Sequence, residues 1–190
     1  MKRTLITTVA FSLIAVGVAR AAQQQVPEAK KTVLGLYVTA VEAYAKWKAD
    51  PENVKIVDVR TPEEYVFVGH PAMAWNVPLK FLTYAWDADK KKPVMKTNLE
   101  FMARVKQIVK PTDTILVICR SGQRSGPAVN LLAVAGFKKV YSVVDGVEGD
   151  KVKDPENVFH GKRMKNGWKN SGLPWTYQLD PKLMHLQAGE

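Results

Sequence analysis

Short apolar runs alternate with stretches of helical periodicity along the middle of the chain. Two longer runs, Lys55–Val59 and Ile115–Ile118, predict strands buried in a sheet. Shorter runs predict further strands at Leu36–Val38, Trp75–Val77 and Val140–Val144. Strands that alternate with helices are typical of βαβ units, so we expect an α/β domain built on a mostly parallel sheet.

Helix start and stop signals lie between these runs. Thr39 and Glu42 have the spacing of a capping box, and Gly136 is a typical helix stop. Thr61 begins a short helix with Pro62 in its first turn, and Asn98 begins another. The pattern predicts helices over residues 40–48, 62–66, 99–109 and 127–135.

Two stretches show no clear periodicity and are interpreted as irregular insertions. The first, Leu79–Thr97, holds several aromatic residues and a lysine run that Pro93 closes. The second, Glu148–Lys165, is polar and rich in lysine. The run Lys90-Lys91-Lys92 is typical of a solvated loop, with a recognition patch as the alternative.

The N-terminus has the pattern of a secretory signal peptide over residues 1–21. A basic start at Lys2 and Arg3 precedes the apolar run Leu5–Val18, and Ala19-Arg20-Ala21 offers small residues for cleavage. The run is shorter than the roughly 20 residues of a spanning helix, although an uncleaved anchor remains the alternative. We therefore expect export to a bacterial periplasm, no stable membrane anchor after cleavage, and a flexible lead over residues 22–34.

Length and charge restrict the class of protein further. The 190 residues suit one domain with extensions, and the net charge of +10 falls to +7 (10 − 3) once Lys2, Arg3 and Arg20 leave with the signal. The lysines are scattered and form no nucleic-acid motif, so we expect no nucleic-acid partner. The histidines and carboxylates have no metal-ligand spacing, so we expect neither a metal nor a cofactor.

The only cysteine, Cys119, stands where the apolar run Ile115–Ile118 ends and a loop rich in glycine, serine and arginine begins. A helix is predicted directly after this loop, and helix N-termini carry unpaired N–H donors and partial positive charge. A thiol in such a place ionises readily and becomes a nucleophile. The alternative, a buried structural cysteine, would not need the arginines and serines that follow it.

The loop resembles the active-site loop of the rhodanese-like sulfurtransferase family, and four further segments resemble the family's motifs in the same order. The match runs from about residue 38 to 175 and is carried by Asp58–Tyr65, Gly69–Pro78, Cys119–Gly126, Ala135–Gly149 and Gly167–Pro174. The resemblance implies a rhodanese-like domain over residues 35–180, with helices on both faces of the sheet and a C-terminal tail over 181–190.

The resemblance also implies a reaction and a site. Cys119 would take sulfane sulfur from thiosulfate or a similar small anion and pass it, as a persulfide, to a thiol or a protein acceptor. Asp58 and Arg60 would be structural supports for this site. The substrate-binding residues would be those of the loop, namely Arg120, Ser121, Gly122, Gln123, Arg124 and Ser125.

Two alternatives stay open at this point. The chain could be an exported persulfide carrier that serves a partner protein and turns thiosulfate over poorly. It could also be a phosphatase or arsenate reductase of the same fold, but in those relatives the loop between the cysteine and the closing arginine is one residue longer. Here four residues separate Cys119 from Arg124, and a tighter ring suits a single sulfur atom.

Overall fold

The centre of the molecule is a sheet of five parallel strands, in a computed structural model that describes residues 26–186. The strands are β1 (Tyr37–Val38), β2 (Val54–Asp58), β4 (Trp75–Asn76), β7 (Thr114–Ile118) and β8 (Val140–Val143). Their order in the sheet is β1-β8-β7-β2-β4. All neighbouring pairs are parallel, which confirms the predicted α/β class.

Strand register places the segments around Asp58 and Cys119 at the same edge of the sheet. β2 pairs with β7 so that Asp58 lies opposite Ile118, the residue before Cys119. Carboxyl ends of parallel strands form the edge at which ligands bind in open α/β sheets. The two sequence segments around Asp58 and Cys119 therefore meet at this edge, as the pattern predicted.

Helices cover both faces of the sheet. They are α1 (Ala40–Ala49), α2 (Pro62–Val68), α3 (Phe101–Ile108) and α4 (Ser125–Val134). Alternate residues of β7 enter two separate apolar clusters: Val117 packs with residues of α3 and α4, and Leu116 packs with residues of α1. Capping boxes at Thr39 and Thr61 begin α1 and α2.

Helix α4 begins at Ser125, two positions before the predicted start at Pro127. Its N-cap is Arg124, whose side chain makes no capping hydrogen bond. The end of the cysteine loop is thus the first turn of a helix. The unpaired N–H groups of that turn lie within the loop sequence.

The prediction of an irregular stretch over Leu79–Thr97 is wrong. The segment forms an antiparallel hairpin of β5 (Lys80–Asp87) and β6 (Lys92–Thr97), with an irregularity between Leu82 and Trp86. Bulky apolar and aromatic side chains at alternate positions favour a strand. Pro93, which closes the lysine run, pairs with Trp86 in this two-stranded ribbon, where a proline is tolerated.

The remaining segments pack around the sheet. A small antiparallel pair joins β3 (His70–Pro71) to β9 (Trp175–Thr176), and Trp168 is fully buried in the α1 side of the core. The stretch Glu148–Lys165 holds only isolated bridges, such as the one between Lys151 and Arg163. Within the predicted lead, residues Glu28–Lys30 form a 3₁₀ turn, and the predicted signal peptide lies outside the described residues.

Candidate active site

Cys119 follows β7 directly and lies at the bottom of the loop, with 1 % of its surface exposed. The backbone N–H of Gly122 donates a hydrogen bond to its Sγ at 3.2 Å. Such a donor stabilises negative charge on a sulfur atom. A backbone donor at the sulfur is what the predicted nucleophile requires, and Cys119 at the same time packs in the apolar core.

The loop needs a glycine at position 122. Gly122 has a φ of +89°, and a Cβ there would collide with the carbonyl group of Val144, whose carbon would be 2.9 Å away. The positive φ turns the chain so that the N–H faces the sulfur. Any other residue would have to displace the backbone directly after β8 or open the loop.

A second segment, Asp145–Glu148, runs beside the loop and holds its first residues. Val147 N–H donates to the carbonyl of Cys119 at 2.8 Å, and Glu148 N–H donates to that of Arg120 at 2.9 Å. A Cβ on Gly146 would lie 2.6 Å from the backbone nitrogen of Ser121, so only glycine permits this approach. The sequence resemblance included this segment but gave it no role, and the structure shows that it positions the loop.

Asp145 fastens that segment to the rest of the domain. Its carboxylate accepts hydrogen bonds from the N–H groups of Ala40 at 2.8 Å and Gly167 at 3.1 Å. Burial raises the pKa of Asp145 above its ordinary value, although these donors favour the charged form. The Asp145 carboxylate thereby connects two other segments to the loop: the start of α1 and the chain just after the polar stretch Glu148–Lys165.

Arg124, predicted to hold the anionic end of a substrate, forms a two-pronged ion pair with Glu64. Its two terminal nitrogens donate to the carboxylate oxygens at 2.5 and 2.6 Å. Burial disfavours the charge on Glu64, but the hydrogen bonds and charge of Arg124 outweigh it and hold the pKa of Glu64 below its ordinary value. Burial disfavours the charge on Arg124, but the same ion pair with Glu64 raises the pKa of Arg124 above its ordinary value.

Sequence reasoning gave Glu64 no role at the site. Its position three residues after Thr61 is a capping-box signal, and its Oε2 does accept the N–H of Thr61 at 3.1 Å. That local pattern explains the cap. It cannot reveal an ion pair to a residue 60 positions away.

Asp58 and Arg60 form a buried pair beneath the site, with both side chains fully buried. Arg60 Nη2 donates to Asp58 at 2.6 Å and to the carbonyl of Gly69 at 2.9 Å. Although burial disfavours its charge, the carboxylate of Asp58 raises the pKa of Arg60. These contacts are those of a structural support and connect β2 to the chain after α2.

The other loop residues differ in exposure. Arg120 and Gln123 are exposed, whereas Ser121 and Ser125 are buried. The Ser125 hydroxyl has no hydrogen-bond partner among the described residues. Arg120 is therefore available to a dissolved anion, and Ser125 is a spare donor at the start of α4.

A residue of the predicted lead also reaches the loop. Lys30 Nζ donates to the carbonyl of Val144 at 2.7 Å and lies 3.5 Å from the carboxylate of Asp150. Its Cδ would be 3.1 Å from a Cβ on Gly122, so its stem packs against the loop. The site thus includes a residue outside all the motifs that the sequence predicted.

Within residues 26–186 no group of three or more potential ligands could hold a metal ion. No helix in that part of the chain is long and apolar enough to cross a membrane.

Comparisons with known proteins agree with this geometry. The Rhodanese-like domain family matches residues 40–152. An uncharacterized protein of Rickettsia prowazekii, RP600, is 32 % identical over 127 residues, which cover 66 % of this chain and 85 % of that protein. Thiosulfate sulfurtransferase 18 of Arabidopsis thaliana is 37 % identical over 90 residues, covering 47 % of this chain and 61 % of that one.

A solved structure shows the same fold. The crystal structure of Rv0390 from M. tuberculosis superposes with a TM-score of 0.58 and 28 % identity, covering 74 % of this chain and 96 % of that one. The match over 113 residues (152 − 40 + 1) spans more than half of the chain. The resemblance noted in the sequence is confirmed: this chain belongs to the rhodanese-like family, whose members include sulfurtransferases.

Proposed function

We propose that the protein is a sulfurtransferase that carries sulfane sulfur on Cys119. The observation that supports this most directly is the hydrogen bond from Gly122 N–H to the Cys119 sulfur at 3.2 Å. A cradle of this kind stabilises a thiolate and, after transfer, the terminal sulfur of a persulfide.

In the first half-reaction, the Cys119 thiolate attacks the outer sulfur of thiosulfate. A new S–S bond forms, the S–S bond of the donor breaks, and its electron pair leaves with sulfite. In the second half-reaction, a nucleophile such as cyanide or a thiolate attacks the outer sulfur of the persulfide, and the Cys119 thiolate returns. No external oxidant or reductant is needed.

Charge around the loop favours a small anionic donor. Arg120 is exposed beside Cys119, whereas the charge of Arg124 is compensated by its ion pair with Glu64, so Arg120 is the cation open to a dissolved anion. The sulfur itself is nearly buried, so a donor that presents a single outer sulfur atom fits better than a bulky disulfide. These features favour thiosulfate or a close analogue.

The proposed setting is the periplasm, on the strength of the signal-peptide pattern over residues 1–21. There the acceptor would be a thiol or a protein. Fractionation of cells that express the full chain tests this: recovery of a shortened protein after release of the periplasm supports export, and a full-length protein that stays in the cytoplasm contradicts it.

The reaction is tested by incubating the purified protein with thiosulfate and recording its intact mass. We expect a gain of about 32 Da, one sulfur atom, that cyanide removes and that Cys119→Ser lacks. No gain, with Cys119 shown to be free and reduced, would rule thiosulfate out as donor. A gain with very slow thiocyanate production would favour the persulfide-carrier alternative.

A further inference from the structure

The β5–β6 hairpin exposes apolar side chains that the proposed sulfur chemistry does not use. In the part of the chain that the structure describes, the two strands pair only with each other. Tyr84 is fully exposed and Trp86 is 63 % exposed, with Leu82 and Val94 at 41 % each. Several exposed bulky apolar side chains on one hairpin are typical of an interaction surface.

These side chains lie on both faces of the ribbon. Trp86 pairs with Pro93, and Leu82 pairs with Met95, so these four share one face. Val94 lies between Pro93 and Met95 along β6 and therefore points to the opposite face. A flat protein surface would cover one face only, whereas a lipid headgroup layer surrounds an inserted hairpin on every side.

Positive charge borders the apolar group. The hairpin and its turn carry five lysines against two aspartates, a net charge of +3 (5 − 2) over residues 80–97; the lysines are Lys80, Lys90, Lys91, Lys92 and Lys96. Asp87 is paired with Lys90 at 2.8 Å, which leaves the net charge of +3 to the other lysines of the segment. Tryptophan and tyrosine favour the membrane–water interface, and clustered lysines favour anionic headgroups.

We propose that this hairpin docks the protein on the surface of an anionic phospholipid bilayer. Tyr84 and Trp86 enter the headgroup region, and Lys91 and Lys92 contact lipid phosphates. The attachment is peripheral and reversible, which distinguishes it from a spanning anchor. It does not depend on the proposed sulfur transfer, because none of these residues lies in the cysteine loop.

The test is co-sedimentation of the folded protein with vesicles. One set is phosphatidylcholine alone, and the other contains about one third phosphatidylglycerol. We expect binding to the anionic set to be tighter by on the order of tenfold or more and to weaken as salt is raised. Absence of binding to the anionic vesicles at low salt overturns the proposal.

Two pairs of variants locate the contact. Tyr84→Ser with Trp86→Ser should abolish binding, whereas Phe67→Ser, which removes an aromatic side chain that is 81 % exposed on α2, should not. Replacing Lys90, Lys91 and Lys92 with glutamine should weaken binding on the order of 10- to 100-fold. The control variant replaces three other exposed lysines with glutamine, namely Lys48, Lys138 and Lys153, and so loses the same total charge.

Equal losses in hairpin and control variants would show that overall charge, and not this surface, attracts the vesicles. The hairpin variants must also keep the wild-type circular dichroism and urea unfolding midpoint, which shows that the domain is folded. The protein could instead form a dimer and fail to bind vesicles. If Tyr84→Ser with Trp86→Ser abolished that dimer, the surface would belong to a second copy of the chain, and the proposal would be overturned.

Discussion

Replacing Glu64 with glutamine removes one charge from the Arg124 pair and keeps the shape of the side chain. The two nitrogen–oxygen distances are 2.5 and 2.6 Å, and the side chains of Arg124 and Glu64 are 25 % and 22 % exposed. Exposed ion pairs contribute about 0.2–1 kcal/mol, and breaking a fully buried pair costs about 3–5 kcal/mol. The glutamine oxygen can still accept one hydrogen bond, so we expect a loss of about 1–2 kcal/mol in the free energy of unfolding.

The difference in unfolding free energy between wild type and Glu64→Gln should depend on pH, and the lowered pKa of Glu64 determines in which direction. The pKa of Glu64 is lowered in the folded protein, so its stabilisation is fully present above the unfolded value of about 4.3. It disappears as the pH falls through the folded pKa. The difference between wild type and Glu64→Gln should therefore be constant near neutral pH and vanish in acid.

Urea unfolding of both proteins from neutral pH to about pH 3 measures this difference. The matched control is Glu63→Gln, which removes the same charge from the neighbouring exposed residue and should change stability by about 0.5 kcal/mol or less. Equal stabilities of the two variants at neutral pH would refute the contribution of the ion pair. A difference that persists in acid would assign the effect to the helix cap and not to charge.

The arginines and glycines of the site give two further expectations. Arg124→Ala should lower the rate of thiocyanate production by on the order of 10- to 100-fold, and by more than Arg60→Lys does. The reason is that Arg124 closes the cysteine loop, whereas Arg60 bonds to residues beneath it. A larger loss of rate in folded Arg60→Lys than in folded Arg124→Ala would contradict these two roles. Gly122→Ala should abolish the persulfide mass gain and destabilise the protein by about 1–3 kcal/mol. Gly136→Ala is the control, because Gly136 has a similar φ of +93° but open space around its Cβ position, and an equal effect of both changes would mean that backbone strain alone matters.

The sequence predicted the parts of the fold that local pattern determines. Apolar runs identified the strands β2 and β7, and capping signals at Thr39 and Thr61 identified the starts of α1 and α2. Because carboxyl ends of parallel strands share an edge, the meeting of Asp58 with the Cys119 segment followed from these elements alone.

Pattern was less informative where the chain leaves the core. A buried strand is recognised by its continuous apolar run, but both strands of the β5–β6 hairpin are largely exposed and mix lysines with aromatic residues. Leu82, Tyr84 and Trp86 alternate as in a strand, but the lysine run beside Pro93 is typical of a solvated loop. The error has a physical origin, because an exposed ribbon is not required to bury either face.

Lys30 shows why the full site could not be read from the sequence. Its ammonium donates to a carbonyl of Val144, 114 positions away, and its stem packs on Gly122, whose N–H contacts the Cys119 sulfur. Backbone carbonyls occur at every residue, so a contact to one leaves no sequence signal. The motifs identify the groups that carry the chemistry. The contacts that fix the loop around the sulfur depend on tertiary packing, and they extend to residues outside those motifs.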